Sequence, residues 1–460
     1  MANTLRSDPA FLALADKALS NDRRVATAAS ARLFKEVVEP LNDSFRRSDR
    51  NTYYRLFLQI LGRLRGKPEA EPFNRALLSF GIASTGDLKH ALAQRRKGLS
   101  RKALRPKPAH IFILSRVTLG ADVAVTSRFI QHSLHACPNA AIHVLGGTRL
   151  KELFGGNRCL NFSRLNYPRR GPLIERLQAW VQACSLIRKR ARNDTYIVLD
   201  PDSRITQLGI LPLAEGQSTH LLFEGTARSR KDPRSLARHA QEWLDSTLGR
   251  LKKAHGTGRS RVWLRKKDLR IARQCLSRFG LHPGRTITVS FGTGGNDAKR
   301  MKGSFERLLV TRLIREGYTV VLDSGVDNEE IERAGRAIRA CRSSGIPVAS
   351  LDDSGGHRGA DRFIEPGLIT WKGGIGAFAA MISRSFWYMG YDSLFQHVAA
   401  ALAVPQTVVF TGYRHPLFPV RWEPAGPGVI NAFLVPEGVV AQPSELTQLM
   451  VAEIGEAIKK

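Results

Sequence analysis

The feature that most restricts the fold is a twofold run of short apolar strands, each followed by a segment with helical periodicity. In the first run Ile111-Phe112-Ile113-Leu114 reads as a strand, 116–122 as a loop and Val123–Ala136 as a helix. Cys137-Pro138-Asn139 then makes a turn and Ala141–Leu145 a second strand. A strand–helix–strand unit of this kind closes with a right-handed crossover. Further strands are expected at Thr195–Leu199 and His220–Phe223, with a helix over Ser235–Leu251. The second run begins at Thr286, with strands at 286–291, 318–323, 346–351, 386–390 and 406–411. Its helices fall at 303–316, 327–342, 374–385 and 393–403, and Ser444–Lys460 is a final amphipathic helix. The pattern predicts an α/β protein of two doubly wound parallel-sheet domains facing a cleft, at 108–265 and 266–440, with a C-terminal helix over 441–460.

Residues 1–105 differ. Arg23–Val38 and Tyr53–Leu64 carry apolar residues at helical spacing with arginine between them, so an extra N-terminal helical module is expected. Arg95-Arg96-Lys97, Arg101-Lys102 and Arg105-Pro106-Lys107-Pro108 read as a basic linker. The loop His255-Gly256-Thr257-Gly258 and the basic segment to Lys267 approach a domain junction.

The formal net charge is +31, and about a third of it lies in residues 1–105. Such a charge concentrates anionic partners: phosphorylated substrates, an anionic membrane surface or nucleic acid. It does not choose among them. Aromatic residues are not interleaved with the basic runs, and no helix-turn-helix, RNA-recognition or zinc pattern occurs, so no nucleic acid is expected. Cys137, Cys159, Cys184, Cys275 and Cys341 lie far apart without a CxxC pair, which argues against a zinc site or a disulfide framework. No signal-peptide core or membrane-length apolar run occurs, so the expected location is cytoplasmic, with possible docking of the basic module on the cytoplasmic membrane face. Nothing sets an oligomeric state.

Four loops follow expected strands, where open α/β sheets bind ligands. Ser115–Asp122 contains Arg116, Thr118 and Gly120. Asp122 there fits either a first-turn acid of the next helix or a general base exposed in the cleft. Leu199-Asp200-Pro201-Asp202-Ser203-Arg204 fits either a turn or a seat for a hydroxyl-rich acceptor. Phe291-Gly292-Thr293-Gly294-Gly295-Asn296-Asp297-Ala298-Lys299-Arg300 lets backbone amides approach an anion, with Lys299 or Arg300 neutralising it; it is neither GxGxxG nor a P-loop. In Phe386–Thr411 a strand runs into a helix whose start, Ser393 with Gln396, has a capping-box pattern. That helix start is a seat for phosphate, and His397 lies one turn further on.

Residues 110–440 resemble glycosyltransferase family 9, the ADP-heptose:lipopolysaccharide heptosyltransferases. The resemblance is carried by Asp392-Ser393 with His397-Val398-Ala399-Ala400-Ala401-Leu402 and Pro405, by Leu119-Gly120 with Asp122-Val123, and by the glycine-rich loop with Lys299. It implies a GT-B fold and an inverting enzyme that needs no metal or other cofactor. Such an enzyme moves a sugar from a nucleotide-diphosphate donor, the co-substrate, to an anionic cell-envelope glycan or glycolipid of lipopolysaccharide type. On that resemblance Asp122 is the general base and Lys299 stabilises the leaving diphosphate. Gly292, Thr293, Gly294, Gly295, Asn296, Arg300, Asp392, Ser393, Leu394 and His397 line the donor site, and Asp327, Glu329 and Glu330 fall where an acid contacts the nucleotide. Arg116, Thr118, Asp200, Asp202 and Arg204 face the acceptor. Leu394 stands where the family pattern has glycine, and Ala121 separates Gly120 from Asp122. These two departures support the alternative of a catalytically silent GT-B scaffold that binds glycan.

Overall fold

The computed structural model describes residues 8–97, 108–225, 232–251, 258–325, 328–353, 357–359, 366–438 and 442–459. Most of the basic linker, His255-Gly256-Thr257 and Asp327 lie outside these residues. The chain forms two compact units, one of residues 1–148 and 158–258, the other of residues 149–157 and 259–460.

In the first unit β1 (His110–Leu114), β2 (Ala141–Gly146), β3 (Leu160–Arg164), β4 (Tyr196–Asp200) and β5 (Thr219–Leu222) form a parallel sheet in the order β3-β2-β1-β4-β5. The order reverses at β1, and the β1–β4 register pairs Ile113 with Leu199. The loops after these two strands are therefore neighbours at the carboxyl edge of the sheet, the place such sheets reserve for ligands.

The N-terminal helices are not a separate module, as the sequence had suggested. Phe11, Leu33, Phe57, Leu64, Phe73 and Leu88 share one continuous core with Phe112 and Leu114 of β1 and with Trp180 of the helix Leu173–Ala191. These amphipathic helices bury their apolar stripes partly against the helix that covers the sheet. Arg95 and Arg96 also depart from expectation. They end the helix Thr85–Lys97 rather than open a linker: Arg95 donates to the carbonyls of Gly209 (3.0 Å) and Ile210 (2.7 Å), and Arg96 to Glu224 (2.9 Å).

In the second unit β6 (Thr286–Ser290), β7 (Thr319–Asp323), β8 (Val348–Asp352), β9 (His357–Gly359), β10 (Leu368–Lys372), β11 (Trp387–Tyr391), β12 (Gln406–Thr411) and β13 (Ile430–Val435) form one sheet. Its order is β13-β12-β11-β6-β7-β10-β8-β9, parallel except for β9. The strands β3, β9, β10 and β13 have no counterpart among the expected strands. β3 and β13 lie at sheet edges with few fully buried positions, and such short runs leave a weak apolar signal. The final helix Pro443–Lys459 belongs to this unit's core through Leu446, Met450 and Ile454, and is no appendage. The segment 149–157 also packs in this unit: Trp263 N donates to Leu153 O at 2.7 Å and Gly156 N to Trp263 O at 2.8 Å. Among the described residues no helix is long and apolar enough to cross a membrane, and no two of the five cysteines are joined in a disulfide.

Candidate functional site

Two sets of loops at carboxyl edges hold most of the candidate residues, one in each unit. In the first unit the loop after β1 turns through Val117, whose φ of 73° is costly for a β-branched residue. Asp122 holds this turn. Its Oδ2 accepts from Ser115 Oγ at 2.7 Å, and its Oδ1 from Arg116 N at 2.7 Å and Thr126 Oγ1 at 2.8 Å. The side chain has no exposed surface, so the expectation of a base open to solvent is corrected. Burial lifts its carboxyl to about 6, against the pull of those hydrogen bonds and of the Arg116 charge. A five-residue π-helical turn, Asp122–Thr126, starts here, and the α-helix proper begins at Ser127. Thr118 is exposed at the head of this segment and caps nothing with its side chain.

The loop after β4 is turned inward as well. Asp200 accepts from Ser203 N (2.7 Å), Thr206 Oγ1 and His220 Nε2 (3.3 Å), all inside the unit. Asp202, at φ 66°, pairs with Arg50 of the N-terminal helix Arg47–Arg65 at 2.8 Å and lies 4.0 Å from Arg116. Arg116 Nη1 donates to the Pro201 carbonyl. Both carboxylates of this loop are thus engaged by the fold itself, and they do not form the open acceptor seat the sequence suggested. A buried carboxylate needs such partners, because leaving it alone in a poorly polarisable interior costs several kcal/mol. Arg204 remains half-buried beside the ring of Phe34, 5.6 Å from its centroid.

In the second unit the glycine-rich loop leaves β6, and Asp392 directly follows the neighbouring strand β11. The parallel register pairs Ser290 with Gly390, and a Cβ at Gly390 would sit 2.3 Å from Ser290 O, so glycine is what lets the two strands close up here. This brings the two loops together: Lys299 Nζ donates to Asp392 Oδ2 and lies 4.8 Å from the centre of the Phe418 ring. Gly294 and Gly295 take left-handed φ values of 64° and 82° and are exposed with Asn296, whose Oδ1 accepts from Ala298 N at 3.2 Å. Arg300 is nearly buried; it bonds Thr293 Oγ1 at 3.2 Å and pairs with Asp297 at 2.9 Å and with Glu329. Gly292 faces Glu330, whose Oε1 would lie 3.3 Å from a Cβ added there.

Ser393 is the N-cap residue of the helix Leu394–Ala401, but the capping box is not formed. Gln396 Nε2 instead donates to Asp392 Oδ1. Leu394 is half-buried in the first turn. His397 is buried, and that burial lowers its pKa to about 4, opposed by Asp392 and reinforced by Lys299. It is a neutral ring at pH 7 and no proton shuttle there.

Sequence reading found Lys299 and Asp392 but not Gln396 as the partner of Asp392, nor Arg50 as the partner of Asp202. The Asp392–Gln396 spacing is a helix-turn spacing and was legible in principle. Arg50 and Asp202 are 152 residues apart, and no local pattern joins them.

No family model matches the chain, and no curated protein matches it. Solved structures do. A glycosyl transferase family 9 structure from Veillonella parvula is 16% identical, with a TM-score of 0.53, covering 77% of this chain and 98% of its own. An E. coli ADP-heptose LPS heptosyltransferase II is 16% identical (TM-score 0.48), and E. coli heptosyltransferase WaaC with ADP is 17% identical (TM-score 0.49); each match covers 76% of this chain and 99% of the other. The chain has the GT-B fold of the Veillonella protein.

Proposed function

We propose that the protein is a metal-independent, inverting glycosyltransferase that moves a sugar from a nucleotide-diphosphate donor to a cell-envelope glycan or glycolipid. The observation that carries this reading is the Lys299–Asp392 contact. It places a cation, an exposed glycine turn and a helix start at the carboxyl edges of two adjacent parallel strands. Breaking a glycosidic bond to a diphosphate puts negative charge on the leaving group, and preorganised positive charge is what such a step needs. In the free protein Lys299 is held by Asp392; a diphosphate would compete for it, aided by the backbone N–H groups at the start of Leu394–Ala401. Glu329 and Glu330 would take the nucleotide's hydroxyls.

The acceptor's proton is assigned to Asp122. Its raised pKa suits a base near neutrality, and Oδ2 accepts only one of the three hydrogen bonds. Access requires the strained turn at Val117 to yield. The likeness to the Veillonella structure supports the reading at the level of fold, and the basic surface suits work at an anionic membrane face. The test is titration of ADP, UDP and GDP into wild type and Lys299→Gln. At least one nucleotide should bind wild type, and roughly tenfold or more weaker in the variant, the loss expected for one charge-assisted contact. No binding of any nucleotide refutes the proposal.

A further inference from the structure

A second cluster of charge lies in the first unit, where the loop after β4 meets the N-terminal helices. Arg176 sits in the first turn of the helix Leu173–Ala191, Arg204 opens the 3-10 turn after β4, and Arg169 lies on the connection from β3. The guanidinium of Arg176 is 3.9 Å from the centre of the Phe34 ring, and that of Arg204 is 5.6 Å from the same centre. Phe34 is contributed by the N-terminal helices, and the same helices bring Glu39, the acid that acts on Arg169 and Arg176. Burial, and then the charges of Arg204 and Arg169, hold Arg176 below the usual arginine value, with Tyr167 and Glu39 acting against them.

The donors of this cluster are not used up. Arg176 Nε and Arg204 Nη1 are buried and have no hydrogen-bond partner among the described residues, and the bond from Arg176 Nη2 to Gly171 O is long at 3.4 Å. Stacking on an aromatic face satisfies a guanidinium's plane but leaves its N–H edge free, which is how arginine recognises oxyanions. Three arginines against Glu39 leave about two positive charges, matching the charge of about −1.5 to −2 on a phosphate monoester better than the single charge of a carboxylate.

We propose that Arg169, Arg176 and Arg204, walled by Phe34 and Glu39, bind a phosphate monoester. The N-terminal helical layer then helps select the ligand by supplying one wall of its site. On the transfer reading above, and resting on it, the phosphate belongs to the acceptor; the site itself does not depend on that reading. Bound phosphate would bridge the helix Leu173–Ala191, the loop after β4 and the N-terminal helices, which are already tied by Leu173 N to Ser30 Oγ at 2.8 Å.

Full-length protein carrying Lys299→Gln, so that the second unit's cation does not contribute, is titrated with glucose 1-phosphate and with glucose. It is also sedimented with phosphatidylcholine vesicles with and without phosphatidic acid. Glucose 1-phosphate should bind and glucose should not. Arg204→Gln should weaken binding at least tenfold, and Glu39→Gln, which removes the competing acid, should tighten it several-fold, a gain that damaged folding would not produce. If only the phosphatidic acid vesicles bind, with the same Arg204 and Glu39 dependence, the phosphate is a lipid headgroup. Equal binding by both variants and their parent, or binding of neither probe, overturns the proposal. Absence of nucleotide binding in wild type would sink the transfer reading while leaving this one to stand on its own titration.

Discussion

The buried pair between Arg50 and Asp202 offers the sharpest test of how the N-terminal helices belong to the fold. Their side chains are 2% and 0% exposed and 2.8 Å apart. At an effective dielectric of about 20, two charges at that separation attract by about 6 kcal/mol. Desolvating both offsets most of it, so the pair adds little net stability. Removing one partner is a different matter, because the other charge stays buried. Arg50→Met should cost about 3–5 kcal/mol on that ground. The variant also loses the Asn42 contact at 3.2 Å and the stacking beside Tyr53 and Tyr54. Arg50→Met with Asp202→Asn should recover about half of the loss, and not all, since Arg116 at 4.0 Å then lacks its acid. Urea unfolding measures the cost. Because two units need not unfold together, amide exchange read by mass spectrometry locates it. Peptides from Arg47–Arg65 and from β4 should lose protection together, since they share one core. A cost below about 1 kcal/mol, a double variant as unstable as the summed singles, or exchange confined to the N-terminal helices would refute the reasoning.

Two further outcomes follow from the same geometry. Asp122 holds its proton up to about pH 6 in the folded chain, against a usual value of 3.8. Its contribution to stability is therefore complete below about pH 4 and is lost as pH rises through 6, about 3 kcal/mol in all. Stability of Asp122→Asn relative to wild type, followed by urea unfolding, should climb across that window; a flat difference refutes the burial argument. Gly412 has φ 66°, and a Cβ there would lie 1.8 Å from the carbonyl oxygen of Ala298. Gly412→Ala should lose about 2–4 kcal/mol and push Lys299 away from Asp392, weakening nucleotide binding in calorimetry along with stability. Unchanged affinity would show that the 297–299 turn does not depend on this close approach.

The order of strands and helices from residue 110 onward was legible because burial on both faces of a parallel sheet demands unbroken apolar runs. Ile111–Leu114 and Trp387–Tyr391 are buried at every position. The loops that hold Lys299 and Asp392 were legible for a related reason: glycine turns and helix starts are local devices with local signatures. Edge strand β13 escaped because only Val435 of its six residues is fully buried. What no local pattern could supply was the use to which each charged side chain is put. Asp200 and Asp202 look like site residues in the sequence, yet the fold engages both in its own hydrogen bonds and ion pairs. Arg176 and Arg204 look like ordinary surface arginines, yet they meet over one phenylalanine contributed from residue 34. Periodicity records which residues are buried. Whether a buried charge is paired, or keeps a free N–H edge for a ligand, depends on neighbours more than a hundred residues away, and only the tertiary structure brings those together.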